Sequence, residues 1–253
     1  MFIVDRRDCL KHYRPIVEYW VCNGTLRMSG KTTKAVLDAL AASNAPMTIR
    51  DLQALGASRA TVHRMVEGGL LERLAHGVYG LPERGSPYLG WAGLSLRVPS
   101  AVFCLTSAAT FHEITQDMET RTVLAVPHAL GQVQGGKGKS YPVRVKIVRW
   151  RNPEAFEYGV ETHVIDGVNV RITSPARTVV DMFRFSSLNP GCRKVRIQDE
   201  AFLDCISRAL DPARRVADPD DIVALADRFG VRDRIVPFVQ VLHHVINTTG
   251  YQA

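Results

Sequence analysis

The chain has 253 residues, 46% hydrophobic and 23% charged, with a formal charge of +7 at pH 7. Those values describe an ordinary globular protein of about two domains and exclude a disordered or fibrous chain. The positive balance favours a polyanionic partner.

Cysteine usage narrows the setting. Cys9, Cys22, Cys104, Cys192 and Cys205 are odd in number and contain no CxxC, which argues against zinc or a disulfide framework and for a reducing cytosol. No apolar run reaches the roughly 18 residues of a membrane-spanning helix. The opening MFIVDRRDCLKHYRP lacks the apolar core of a signal peptide. The expected location is the cytoplasm.

Residues 1–27 form an N-terminal extension. Tyr13, Ile16, Val17, Tyr19, Trp20 and Val21 could build a short amphipathic helix, and Met28 is an alternative start. Lys31 to Ala42 reads as a helix with Val36, Ala39 and Leu40 inward, ended by Asn44-Ala45-Pro46. Thr48 then caps a second helix, with Asp51 placed to return the bond as a capping box. Ile49, Leu52 and Leu55 form its apolar face, and Gly56 supplies a left-handed stop. Ser58 caps a third helix whose inner face is Val62, Met65 and Val66 and whose end is Gly68-Gly69. Leu70–Leu74 and Val78–Leu81 read as two strands joined by Ala75-His76-Gly77. Helix, tight turn, helix and hairpin make a winged helix-turn-helix.

In such a unit the polar face of the third helix would meet base edges, and the hairpin would lie along phosphates. The candidate DNA-binding residues are therefore Ser58, Arg59, Thr61, His63, Arg64, Arg73 and His76.

Pro82-Glu83-Arg84-Gly85-Ser86-Pro87 interrupts every periodic pattern. It divides a DNA-binding domain (28–82) from a C-terminal domain (88–253), with 83–87 as linker. In the C-terminal part, Ala101–Leu105 reads as a strand, and Thr106 as the cap of a helix over Ser107–Ile114. Thr122–Val126 is a buried strand. Gln132–Ser140 is glycine-rich, but it lacks GxxxxGK[ST] spacing and opens no helix, so it reads as a loop and not a phosphate cradle. Pro142–Trp150 alternates, with Val143, Val145 and Ile147 on one face and Arg144 and Lys146 on the other. Asp166-Gly167 is a hairpin signal between Val160–Ile165 and Val168–Ile172.

Ser174 and Pro175 open a helix in which Arg177 and Asp181, four apart, can pair. Ser186–Arg196 is irregular. The remainder is helical: one helix is lined by Ala201, Phe202, Cys205, Ile206 and Leu210, a second starts at Asp218-Pro219 with Ile222, Leu225, Ala226 and Phe229 inward, and a third covers Ile235–Ile246. The fold class is α+β, a winged helix followed by a mixed α/β domain ending in helices.

A second basic surface is expected at Lys137, Lys139, Arg144, Lys146, Arg149 and Arg151, a stretch without a single acid. The same residues would equally suit the solvated face of a sheet.

Three segments of the DNA-binding part, Gly56-Ala57-Ser58, Gly69-Leu70-Leu71 and Gly77-Val78-Tyr79, resemble the winged helix of the AbiE-type abortive-infection antitoxin family of type IV toxin–antitoxin systems. Downstream, Leu105–Ala109, Val123–Pro127 and above all Ser174-Pro175-Ala176-Arg177-Thr178-Val179-Val180-Asp181 resemble that family's C-terminal domain. The resemblance spans about Lys31 to Ile246 and makes Ser174, Arg177, Thr178 and Asp181 the antitoxin-domain motif. It implies a bacterial repressor that binds inverted repeats in its own promoter. The basic block at 137–151 could add backbone contacts or let neighbouring copies self-associate on that DNA. The resemblance also implies a protein that counteracts a nucleotidyltransferase-like toxin through the C-terminal domain, with direct contact left open.

No enzyme activity and no cofactor are expected. A nuclease needs converging acids and a lysine on a metal, yet Asp166 sits in a hairpin turn and Glu161 is followed by Thr162-His163. HExxH and GxSxG are absent, and His112, His128, His163, His243 and His244 are scattered. Alternative readings are a regulator of other genes with a sensing C-terminal domain, and a winged-helix-fused nuclease.

Overall fold

The structure is a computed structural model that describes residues 30–82, 85–116, 121–130, 144–192 and 196–249. The N-terminal extension, residues 83 and 84 of the linker, the glycine-rich loop, and Lys137 and Lys139 lie outside the described residues.

The chain is mixed α/β, with helices arranged around two sheets. It begins with α1 (Lys31–Ser43), ended by Asn44 in the left-handed region at φ 49°. A two-residue strand, β1 (Met47–Thr48), leads into α2 (Ile49–Ala54). The capping box forms: Thr48 N–H donates to Asp51 Oδ2 at 2.8 Å, and Asp51 N–H returns to Thr48 Oγ1 at 3.3 Å. Gly56, at φ 90°, turns the chain into α3 (Arg59–Glu67), where Thr61 N–H donates to Ser58 Oγ at 3.1 Å. The hairpin follows as β2 (Glu72–Ala75) and β3 (Val78–Gly80).

Three details differ from the sequence reading. Ala75 belongs to β2, buried and paired with Val78, and not to the connection. The hairpin is part of a three-stranded sheet of order β1-β3-β2, because Met47 and Thr48 pair with Tyr79 and Val78. Leu55 is not on the inner face but 36% exposed. It is the C-cap of α2, and buried Ala57 fills the core beside Leu52, Val36, Leu40, Val62, Met65 and Leu71.

The C-terminal part contains a helix that the sequence did not announce, α4 (Leu89–Arg97). Then come β4 (Val102–Phe103), α5 (Thr106–Phe111), β5 (Arg121–Pro127), β6 (Arg144–Trp150), a 3-10 turn at Pro153–Phe156, β7 (Val160–Ile165) and β8 (Val168–Thr173). Thr106 is not the cap of α5: Leu105 is, at φ 55° and with no side-chain bond. Leu105 is buried in the core, and this strand-to-helix corner keeps it there. The hairpin turn is as expected, with Asp166 and Gly167 both at positive φ (46° and 72°). The strands form one mixed sheet of order β6-β5-β4-β8-β7.

Four helices close the chain: α6 (Pro175–Arg184), α7 (Asp199–Ala209), α8 (Pro219–Arg228) and α9 (Arg232–Thr249). The last starts before Ile235, which puts Pro237 inside the helix at an exposed position. One core joins Val102, Val123 and Val148 of the sheet to Val179, Phe183, Phe202, Ile206, Ile222 and Ile235. A second covers the other sheet face, where Trp91 of α4 stacks on Phe103 at 4.3 Å between ring centres. The basic face expected on β6 is interrupted, since Val148 and Trp150 share the side of Arg144 and Lys146 and are buried.

The proline-rich stretch does not leave the N-terminal elements on a loose tether. Ser86 donates to the Asp166 carboxylate through N–H (2.9 Å) and Oγ–H (2.8 Å). Helix α4 packs against β2 and β3 as well as against β8. The approach is close: a Cβ on Gly93 would lie 2.7 Å from Leu74 Cβ.

Candidate nucleic-acid interface

The N-terminal cap and the turn at Gly56 fix where α3 begins, and the core contacts of Val62 and Met65 fix its rotation. Apart from Ala60, what remains outward is polar. Ser58, Arg59, His63 and Arg64 are exposed and Thr61 is half-buried.

These residues divide into two flanks. Arg59 and His63, one turn apart, face the hairpin and share an open cleft of about 400 Å³ with Arg73, His76, Ile49, Val66, Gly77 and Tyr79. Thr61 and Arg64 lie on the other flank, where Arg64 Nη2 reaches Thr61 Oγ1 at 3.5 Å and Ser58 Oγ lies 3.0 Å from the same hydroxyl. At the hairpin tip Arg73 Nη2 contacts His76 Nδ1 at 2.7 Å. Gly77, at φ 74°, makes that turn.

Chemically, this is an open shelf of guanidinium and imidazole groups on a capped helix, walled by a hairpin. Such groups offer donors in the fork geometry that phosphate and guanine edges accept. One acid interrupts it: Glu67 Oε2 lies 3.3 Å from His63 Nδ1, both side chains well exposed. A polyanion would displace that weak surface pairing at little cost. The sequence had no signal for Ile49 and Tyr79 as cleft walls, because they reach the site only through the β1–β3 pairing.

The second basic block is dispersed. Arg144 and Arg151 are exposed and Lys146 is half-buried. Arg149 braces the protein itself. Its Nη1 donates to the carbonyls of Leu130 (2.5 Å) and His128 (3.3 Å), holding the chain that leaves β5.

The Ser174–Asp181 motif comes together, but inside the protein. Ser174 caps α6 through Arg177 N–H at 3.2 Å. Arg177 and Asp181 are both 0% exposed, with Nε to Oδ2 at 2.9 Å. Arg177 Nη1 donates to the Tyr158 carbonyl at 2.6 Å, and its guanidinium lies over the Phe229 ring at 3.8 Å. Asp181 Oδ1 also accepts from Arg184 at 2.7 Å. Thr178 and Thr173 hydroxyls meet at 2.8 Å. The motif pins α6 to α8 and to the turn before β7: Arg177, Thr178 and Asp181 are buried there and Ser174 is half-buried.

Elsewhere, Glu161 Oε2 pairs with His163 at 3.1 Å. His112 donates through Nε2 to the Thr173 carbonyl at 2.7 Å, and burial lowers its pKa. Cys104 and Cys205 are buried thiols with strongly raised pKa values, unsuited to thiolate chemistry. Among the described residues, no three His, Cys, Asp or Glu side chains converge as a metal ion would require, and no helix is long and apolar enough to cross a membrane.

Comparison with known proteins bears on this geometry at the same place. Residues 36–82, from the middle of α1 to the end of the hairpin, match a family model described as a transcriptional regulator, AbiEi antitoxin. The match takes in the three N-terminal segments that carry the family resemblance, and the resemblance holds there; the downstream segments at 105–109, 123–127 and 174–181 lie outside it. No curated protein matches the chain. Among solved structures, the RV2827C protein from Mycobacterium tuberculosis is similar in fold, with a TM-score of 0.53 at 14% identity, over 85% of this chain and 81% of that one. The likeness therefore extends through the C-terminal sheet and helices as well.

Proposed function

We propose that this chain, whose residues 36–82 match the AbiEi antitoxin regulators, is an antitoxin that represses its own operon through a winged helix-turn-helix. Helix α3 enters the major groove, with Arg59, Thr61, His63 and Arg64 toward base edges and nearby phosphates. Arg73 and His76 of the hairpin lie along the backbone. The observation that carries this reading is the convergence of Arg59, His63, Arg73 and His76 on one open cleft, on a helix whose core contacts leave its basic side outward.

The C-terminal domain carries the antitoxin effect against a nucleotidyltransferase-like toxin encoded beside it, and it performs no catalysis of its own. Support for this half is the resemblance of residues 105–109, 123–127 and 174–181 to that family's C-terminal domain. The acids weighed for a nuclease already have partners, Asp166 with Ser86 and Glu161 with His163.

A gel-shift titration with DNA from upstream of the reading frame tests the first half. Arg59→Ala and Arg64→Ala together should weaken the shift, moving it to higher protein concentration, and unchanged affinity would refute the mapping. Coexpression with the neighbouring gene tests the second. The same double variant should still rescue growth, because the antitoxin effect resides elsewhere.

A further inference from the structure

The two edges of the large sheet are treated differently. At one edge, β6 carries Arg144, Lys146 and Arg149 within seven residues, and like charges of this kind discourage pairing with another strand. At the other edge, β7 carries Val160, Glu161, Thr162, His163, Val164 and Ile165. Val164 is 73% exposed there, the most exposed large apolar side chain among the described residues.

The register settles which backbone groups face outward. Ile165 and Val168 flank a two-residue turn, so they form a hydrogen-bonded pair, and the alternation of an antiparallel ladder makes His163–Val170 and Glu161–Ile172 bonded pairs too. Val160, Thr162 and Val164 therefore aim their N–H and C=O groups away from β8, off the sheet edge. Such a row is a template for a further strand.

We propose that this edge joins a second copy of the chain, β7 against β7, antiparallel about a two-fold axis at Thr162. That register alone places Thr162 opposite Thr162, Val164 opposite Val160, and His163 opposite Glu161. It makes the outward-facing residues the hydrogen-bonded ones on both strands, giving about six backbone bonds. It also sets an acid across from a histidine twice and buries the exposed valine against another valine. Cross-strand pairs of these types stabilise a sheet where like charges would not. The Glu161 and His163 already paired within one strand at 3.1 Å become a four-membered cluster. The two sheets then run on as one across the axis. The proposal stands on the strand itself and does not depend on the DNA reading.

Sedimentation velocity of the full chain tests it, with variants chosen for the register. Thr162→Pro removes only an outward-facing N–H and leaves the β7–β8 bonds in place; Val164→Lys sets unpaired charge in the new seam. Wild type should sediment as a dimer at micromolar concentration and both variants as monomers with an unchanged circular dichroism spectrum. Chemical crosslinking supplies the check that does not depend on stability. Opposed Cβ atoms of a bonded pair lie about 5.5 Å apart, too far for a direct disulfide but within the span of a short bis-maleimide. Thr162→Cys should therefore crosslink to a dimer above the wild-type background with that reagent, whereas Val164→Cys, opposite Val160, should not. A monomeric wild type, a dimer indifferent to both seam variants, or crosslinking of Val164→Cys in place of Thr162→Cys would each overturn the proposal, leaving the edge to a different protein or a different register.

Discussion

Replacing Asp181 by alanine removes the carboxylate that holds two arginines, and the consequences for them are unequal. Arg184 is 28% exposed and can turn its charge to solvent. Arg177 is wholly buried and loses its only ionic partner among the described residues, keeping the Tyr158 carbonyl and the Phe229 ring. A buried charge left without its partner costs about 3–5 kcal/mol, whereas a partly exposed pair contributes about 1 kcal/mol or less. The loss falls mostly on the Arg177 side, so Asp181→Ala should destabilise by about 3–5 kcal/mol and Arg184→Ala by about 1 kcal/mol at most. Total stabilities are about 5–15 kcal/mol, so the first change alone removes a large share. Urea unfolding followed by circular dichroism measures both. Arg177→Met should recover part of the loss seen in Asp181→Ala when the two are combined, since no charge then remains buried alone. An Asp181→Ala protein within about 1 kcal/mol of wild type would mean that Arg177 does not depend on this carboxylate.

Other outcomes follow from the same contacts. Burial lowers the His112 pKa below its ordinary value of about 6.5. The unfolded chain therefore takes up a proton that the folded chain refuses, and stability should fall as pH drops through about 6.5 toward the folded value. His112→Gln should flatten that dependence in unfolding titrations at pH 7.5 and pH 5.5. Ser86→Ala removes the hydroxyl bond to Asp166 and the bond from Tyr88 N–H at 3.1 Å, which predicts a loss of about 1–2 kcal/mol, measurable as a lowered urea midpoint. Gly93→Val places side-chain atoms where a Cβ alone would stand 2.7 Å from Leu74. Limited proteolysis should then cut the segment between β3 and α4 faster than in wild type.

Much of the N-terminal fold was legible because its signals are local. Thr48 with Asp51, Ser58, Gly56 and Asn44 state where helices begin and end, and each acts in the place its chemistry suggests. The Asp166-Gly167 turn and the Ser174-Pro175 cap were legible for the same reason. What was missed depends on distant partners. Met47–Thr48 is a strand only because Tyr79 and Val78 lie beside it. In α4, Gly90 and Gly93 hide the helix by lowering its propensity, and the need for Gly93 is the nearness of Leu74, nineteen positions away in the chain. The pairing of Arg177 with Asp181 could be read from spacing, but its burial could not, since the residues that enclose it come from the turn before β7 and from α8. At the interface, the basic residues of α3 were identifiable individually. Their division into a flank facing the hairpin and a flank facing away required the rotation of the helix against its core.

Whether the basic face of α3 and its hairpin grips a duplex is read from the salt dependence of binding. Anisotropy of a labelled upstream duplex is titrated at several salt concentrations with wild type and with Arg59→Ala/Arg64→Ala. Each phosphate contact contributes about 0.9 to the slope of log affinity against log salt, so a slope shallower by about 1.8 in the double variant is predicted if both arginines meet phosphates. If one or both read bases instead, affinity falls with a smaller change in slope and discrimination against unrelated DNA is lost. Equal slopes, equal affinities and equal discrimination for the two proteins would contradict the account.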